Sequence, residues 1–158
     1  MCKSRRVTNF DPLPLNVNQS RAITGKSVVA GAVAGLGGGV VFGMLMGMMG
    51  MLPMVGMLIK QDNAIAGLGV HMVISAFIGA VYGAVVGRLA LTWVTTAIAG
   101  MANGVVWWVL GALIAMPLLL GMTQMVLVIE TTQWLSLMGH LIYGLVTAFL
   151  FVPLTKRL

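Results

Sequence analysis

The chain has 158 residues, of which 59% are hydrophobic and 8% charged. A soluble domain carries roughly a quarter of its residues as charges, so a wholly water-solvated fold is excluded and lipid must surround much of this chain. The net charge of +6 does not indicate nucleic acid, because the basic residues stand at the ends of apolar segments and no basic-aromatic patch accompanies them.

Residues 1–26 are polar and include Lys3, Arg5, Arg6, Arg21 and Lys26. In Asp11-Pro12-Leu13-Pro14 each proline disfavours helix in the residue before it. The expectation is an extended or disordered cytoplasmic arm. It is not a cleavable signal peptide, since the apolar run begins too late and is too long. Cys2 has no internal disulfide partner.

No charge occurs from Val28 to Ile59, which is longer than the ~20 residues one crossing needs. Pro53 divides this run into a first helix near 27–50 and a short outer segment ending at Lys60-Gln61-Asp62-Asn63. A second helix is expected over 64–87, stopping at Arg88. The third, 92–116, ends at Pro117. A further short segment leads to Glu130, and the fourth helix, 133–153, ends at Pro153 before Lys156 and Arg157. Residues 27–88 form a first transmembrane hairpin and 89–158 a second. Every Lys and Arg except Lys60 lies on one side of this arrangement. The positive-inside rule puts that side, with both termini, in the cytoplasm of a multi-pass inner (plasma) membrane protein. Trp93 and Trp134 fall near helix starts, as interfacial anchors do.

The halves correspond at an offset of 69: Ala30-Gly31 and Gly35 with Ala99-Gly100 and Gly104, and His71 with His140. Small residues pair at Gly67/Ser136, Ser75/Gly144 and Gly79/Ala148. The break Pro53-Met54-Val55-Gly56-Met57 resembles Pro117 to Met122. The fold class expected is therefore an all-α membrane protein of four transmembrane helices. It reads as a tandem, parallel repeat of two two-helix hairpins, each with a short outer-side segment.

Four sets of residues could carry function. Gly31, Gly35, Gly39, Gly43 and Gly47 recur every four residues on the first helix, as do Gly67, His71, Ser75, Gly79, Gly83 and Gly87 on the second. With Gly144 on the fourth, they predict close helix packing, within the bundle or between subunits. His71 and His140 each lie about seven residues inside an outer-side helix start, roughly 10 Å deep. Small neighbours four residues away turn both into helix contacts. An ionisable residue inside a membrane span is a functional-site hypothesis. The pair could supply axial ligands to haem or chlorophyll, or each could hydrogen-bond across to a neighbouring helix. Met44, Met48 and Met51 share a face and could bind Cu(I), or fill gaps beside glycine. The short segments after Pro53 and Pro117 could lie in the outer interface or dip back into the bundle. Enzyme chemistry finds little: of the three carboxylates, Asp11 lies in the arm and Asp62 and Glu130 in outer loops, and no nucleophile triad, phosphate loop or zinc spacing occurs.

The stretches Trp107-Trp108-Val109-Leu110-Gly111, Met116-Pro117-Leu118-Leu119-Leu120-Gly121-Met122 and Met138-Gly139-His140-Leu141-Ile142-Tyr143-Gly144 resemble a family of uncharacterised four-helix membrane proteins of bacteria and archaea, as does His71-Met72-Val73-Ile74-Ser75. The resemblance covers about 27–153 and implies the four-helix fold without a reaction. The expectation for function is a non-enzymatic membrane protein, an accessory or structural subunit that packs in the bilayer against a protein partner or its own copies. A small channel or transporter, for example of a metal ion, and a haem or chlorophyll carrier are the alternatives.

Overall fold

Each apolar run forms one helix long and apolar enough to cross a membrane: Gly25–Met48, Ala64–Val86, Trp93–Leu119 and Thr131–Arg157. The shortest has 23 residues, which at 1.5 Å per residue reaches ~35 Å, against ~30 Å of hydrocarbon. The computed structural model describes residues 17–89 and 92–158, and among these all regular structure is helical. The elements are α1 (Val17–Met48), α2 (Leu52–Gly56), α3 (Ala64–Val86), α4 (Trp93–Trp107), α5 (Met116–Leu119) and α6 (Thr131–Arg157). A π-helical stretch, Trp108–Ala115, joins α4 to α5 as one span. Single 3-10 turns, Met57–Ile59 and Thr123–Met125, follow α2 and α5.

Local chemistry sets most boundaries. α1 begins at Val17, about ten residues before the expected start. No proline follows Pro14 until Pro53, and extending a formed helix costs far less than nucleating one. The arm's first 16 residues lie outside the described part. α1 stops at Gly50, whose φ of +67° places it in the left-handed region. There the amide of Met51 donates to Met46 O at 2.9 Å, a Schellman-type closure. Pro53 instead occupies the first turn of α2, where its missing N–H costs nothing. The Asn63 side chain accepts from Ala66 N–H at 2.8 Å and starts α3. Thr92 with Thr95, and Glu130 with Gln133, form the capping boxes of α4 and α6.

Two expected helix ends are corrected. Pro117 does not terminate the third span. It has no N–H for the carbonyl of Leu113 four residues back, and the amide of Leu127, in the returning loop, donates to that oxygen at 3.0 Å. The carbonyl freed by proline is thus satisfied and the chain continues helically to Leu119. Pro153 does not terminate α6, which runs on to Arg157. Only the bond to Phe149 O is lost, close to the helix end.

α1 packs against α3 on one side and α6 on the other, and α4 packs against α6; α3 and α4 scarcely touch. Accordingly 44% of the apolar stretch of α1 and of α6 is buried, against 28% for α3 and 22% for the span containing α4. The lateral order is α3–α1–α6–α4, with a gap between the outer pair. α2 packs on the first turn of α3, where Leu52 O lies against Gly67. The first outer segment therefore stays at the end of the bundle instead of dipping to its middle.

Candidate ligand site

The small residues are used inside the bundle. A Cβ added at Gly35 would lie 2.5 Å from Ser75 O and 2.7 Å from Gly79 Cα, and one at Gly31 would lie 2.7 Å from Gly83 Cα. Gly39 faces Ser75, Gly87 faces Ser27, Gly67 faces Leu52, and Gly144 faces Gly100 on α4. Gly43 faces Leu68 and the His71 ring, where a Cβ would sit 3.1 and 3.3 Å away. Gly47 differs: a Cβ there would meet only a Leu52 methyl at 3.5 Å, an ordinary contact.

The two histidines have unlike partners. His71, buried, places Nε2 3.0 Å from Gly39 O on α1, with Ser75 Oγ at 3.5 Å. His140 places Nδ1 2.8 Å from Ser136 O of its own helix. Since a carbonyl only accepts, each of these nitrogens carries the proton and donates. Nε2 of His140 is then a bare lone pair, and among the described residues both hydrogen bonds of this ring are made by Nδ1. Phe42 stands between the rings, edge-on to both, with centroids 5.3 Å from His71 and 4.9 Å from His140. Gly139 gives it room, since any Cβ there would collide with the Phe42 ring.

Both histidines line a cavity of about 400 Å³ in the α2 half of the bundle. Ligand pockets span ~300–1,000 Å³. Phe42, Ile78 and Trp107 form its floor, α2 and α5 its roof, and the π-helical stretch one wall. Residues 107, 111, 112, 115 and 116 face it, a spacing of four to five that matches the wider π turn, a feature often found at functional sites. A Cβ at Gly111 would meet nothing within 4 Å. Ile74, Phe77 and Ile78 of α3 and Trp107 and Gly111 of the third span line the cavity, and these two helices scarcely touch. At the cavity floor the gap is bridged by the Phe77–Trp107 ring contact, centroids 5.8 Å apart. Nearer the termini, Tyr82 Oη–H donates to Thr96 O at 2.7 Å. The polar lining is concentrated on one face of α6: Thr132, Gln133, Ser136 and His140. α6 is an inner helix, so this face lies at the back, opposite the gap.

The methionine expectation is corrected. Met44 and Met48 are 65% and 82% exposed on the outside of α1, while Met51 lines the cavity. Their common face is lost because α1 ends at Met48 and the chain reverses at Gly50. A different set converges: Met46, Met51 and Met54 from the first hairpin, and Met116, Met122 and Met125 from the second. Phe42 was not singled out in the sequence, and Gly111 and the start of the π-helical wall were read only as part of the Trp107–Gly111 motif, with no site role. The one available signal was Phe42 itself, the only aromatic residue on a glycine-rich first helix.

Among the described residues no group of three or more His, Cys, Asp or Glu could hold a metal ion. The site is thus that of a multi-pass helical membrane protein with a ligand-sized, mostly apolar cavity. Set against known proteins, the chain matches no family model, no curated protein and no solved structure.

Proposed function

We propose that the protein is a non-enzymatic integral membrane protein that binds a small, largely apolar molecule taken from the outer leaflet through the α3–α4 gap. The observation that carries this reading is the cavity of about 400 Å³, apolar apart from His71 and one face of α6, and lined by both α3 and the third span, which scarcely touch. A pocket of that size, mostly apolar with a few convergent polar groups, is the usual form of a small-molecule site. The methionines suit an adaptable apolar lining. The outer-side assignment follows from the basic residues at the opposite end, Lys26, Arg88, Lys156 and Arg157.

Three features favour binding over the other readings. The cavity's only titratable side chains are the two histidines, and one is tied to Gly39, which leaves little for acid-base catalysis. Beneath the cavity Phe42, Ile78 and Tyr143 belong to one buried apolar cluster, which opposes a polar conduction path. The glycine ridges are taken up by contacts within the bundle, so the accessory-subunit reading keeps only the small extramembrane mass in its favour. The likeness of the hairpins, in which Gly31 and Gly100 each abut a partner-helix carbonyl, supports their origin as tandem copies.

The test is binding of 1-methoxynaphthalene to the protein in lipid nanodiscs, with empty nanodiscs as the partition blank. Saturable one-site binding by the wild type, lost in Gly111→Phe, is the expected result. Equal uptake by both proteins would overturn the reading.

A further inference from the structure

The cavity is not uniformly greasy. Its back wall carries one hydrogen-bond acceptor held in a defined orientation. Nδ1–H of His140 donates to Ser136 O at 2.8 Å, which fixes the tautomer and leaves the lone pair on Nε2. The second histidine gives its Nε2–H to Gly39 O at 3.0 Å, so its own lone pair is on Nδ1, carried by α3 and not by the polar face of α6. Inside a bilayer an unmade hydrogen bond at such an atom is expensive, since no bulk water replaces the missing partner.

Resting on the binding role proposed above, we infer that the ligand is a neutral ring-bearing amphiphile whose hydroxyl group donates to Nε2 of His140. Three observations define this class. The acceptor is carried by α6, an inner helix, while α3 and the third span line the same cavity from the other side, so a molecule entering between these two from the leaflet presents its polar end first. The lining includes the rings of Phe42, Phe77 and Trp107, and flat rings pack edge-to-face or offset against such side chains. No carboxylate and no free cationic side chain lines the cavity, so a charged headgroup would be buried without a counter-charge. A phenol, a quinol head or a hydroxylated polycyclic lipid shares the required chemistry: an apolar ring body with one O–H donor. Bonding is by donation alone. No proton is transferred and no covalent step occurs.

The test compares 1-naphthol with 1-methoxynaphthalene, which share a ring system and differ in the O–H donor. Both are titrated against the nanodisc-embedded wild type, His140→Leu and Gly111→Phe, each corrected for partition into empty nanodiscs. The wild type is expected to favour 1-naphthol by about tenfold, the scale of one net hydrogen bond. In His140→Leu that preference should vanish while affinity for 1-methoxynaphthalene stays within about twofold. A His71→Leu variant should retain the preference if it folds, and failure of either leucine variant to fold is checked by its helical circular dichroism. Nitrogen-15 spectra of the wild type give a second readout independent of any variant: the Nε2 resonance of His140 should shift on adding 1-naphthol and not on adding 1-methoxynaphthalene. Equal binding of the two probes, with no such shift, would overturn the donor inference and leave the cavity reading standing. Absence of saturable binding for both would overturn the cavity reading itself. A porphyrin absorption band in protein purified from native membrane would also overturn the inference, because Nε2 would then be an iron ligand.

Discussion

The hydroxyl of Tyr143 on α6 donates to the backbone carbonyl of Ser75 on α3 at 2.7 Å. α1 lies between these two helices, and the contact runs across it at Gly35, where an added Cβ would come within 2.9 Å of the Tyr143 oxygen. One glycine therefore serves two purposes, bringing α3 close and letting a side chain from the second hairpin reach over to it. Tyr143→Phe removes the hydroxyl and keeps the ring. The expected loss is about 1 kcal/mol, the net worth of a typical hydrogen bond, measured by reversible unfolding in mixed micelles. An unchanged unfolding midpoint would show that the bond contributes nothing.

Gly35→Ala tests the close crossing directly. Its methyl would press on Ser75 O and Gly79 Cα at 2.5 and 2.7 Å, both backbone atoms that cannot swing aside. Overpacking of this kind costs about 1–3 kcal/mol. Gly69→Ala is the matched control, because a Cβ there meets nothing within 4 Å. It should be neutral or stabilising by up to about 1 kcal/mol through helix propensity. Both are read from the same unfolding titration, and the two substitutions should move the midpoint in opposite directions or leave only the control unmoved.

Leu127 supplies the amide that replaces proline's missing donor at Leu113 O, and it does so with φ at +59°. A leucine in the left-handed region costs roughly 1–2 kcal/mol. Leu127→Gly keeps the N–H and relieves that strain, while its side chain is 57% exposed and gives up little packing. Stability should rise by about 1 kcal/mol. Leu127→Pro, which deletes the donor, should fall well below the wild type in thermal unfolding.

Asn103 Nδ2 on α4 is buried without a hydrogen-bond partner. An unsatisfied buried donor costs about 1–3 kcal/mol. Asn103→Leu has similar volume and no donor, so it should raise the melting temperature of the purified protein. A drop would mean that the amide is used in the native membrane.

The four spans were legible because absence of charge over twenty or more residues is a property of the chain alone, and the lipid solvent makes it decisive. The caps at Asn63, Thr92 and Glu130 are equally local features, though they were not read from the sequence. Pro117 and Pro153 misled because a proline ends a membrane helix only if the carbonyl it frees stays unsatisfied, and the donor for Leu113 O comes from a loop residue no local rule connects to it. The histidines were located correctly on ridges facing other helices. Their chemistry was not legible: the partner of His71 is a carbonyl 32 residues away, while His140 turns back to its own helix. Positions that correspond at an offset of 69 thus differ in their partners, one ring bonding a neighbouring helix through Nε2 and the other its own helix through Nδ1. The cavity was invisible for a similar reason. It exists because α3 and α4 touch at only a few points, which depends on how α1 and α6 pack between them.

The central claim is that the cavity behind the α3–α4 gap holds a small apolar molecule. It is tested most directly by native mass spectrometry of the wild type and Gly111→Phe, each released intact from its own membrane in mild detergent. A single bound species of small-molecule mass on the wild type, absent from Gly111→Phe at equal helical content, is the predicted result. A wild type that flies with no adduct under conditions that preserve lipid on a control protein, or an adduct retained equally by Gly111→Phe, would contradict it.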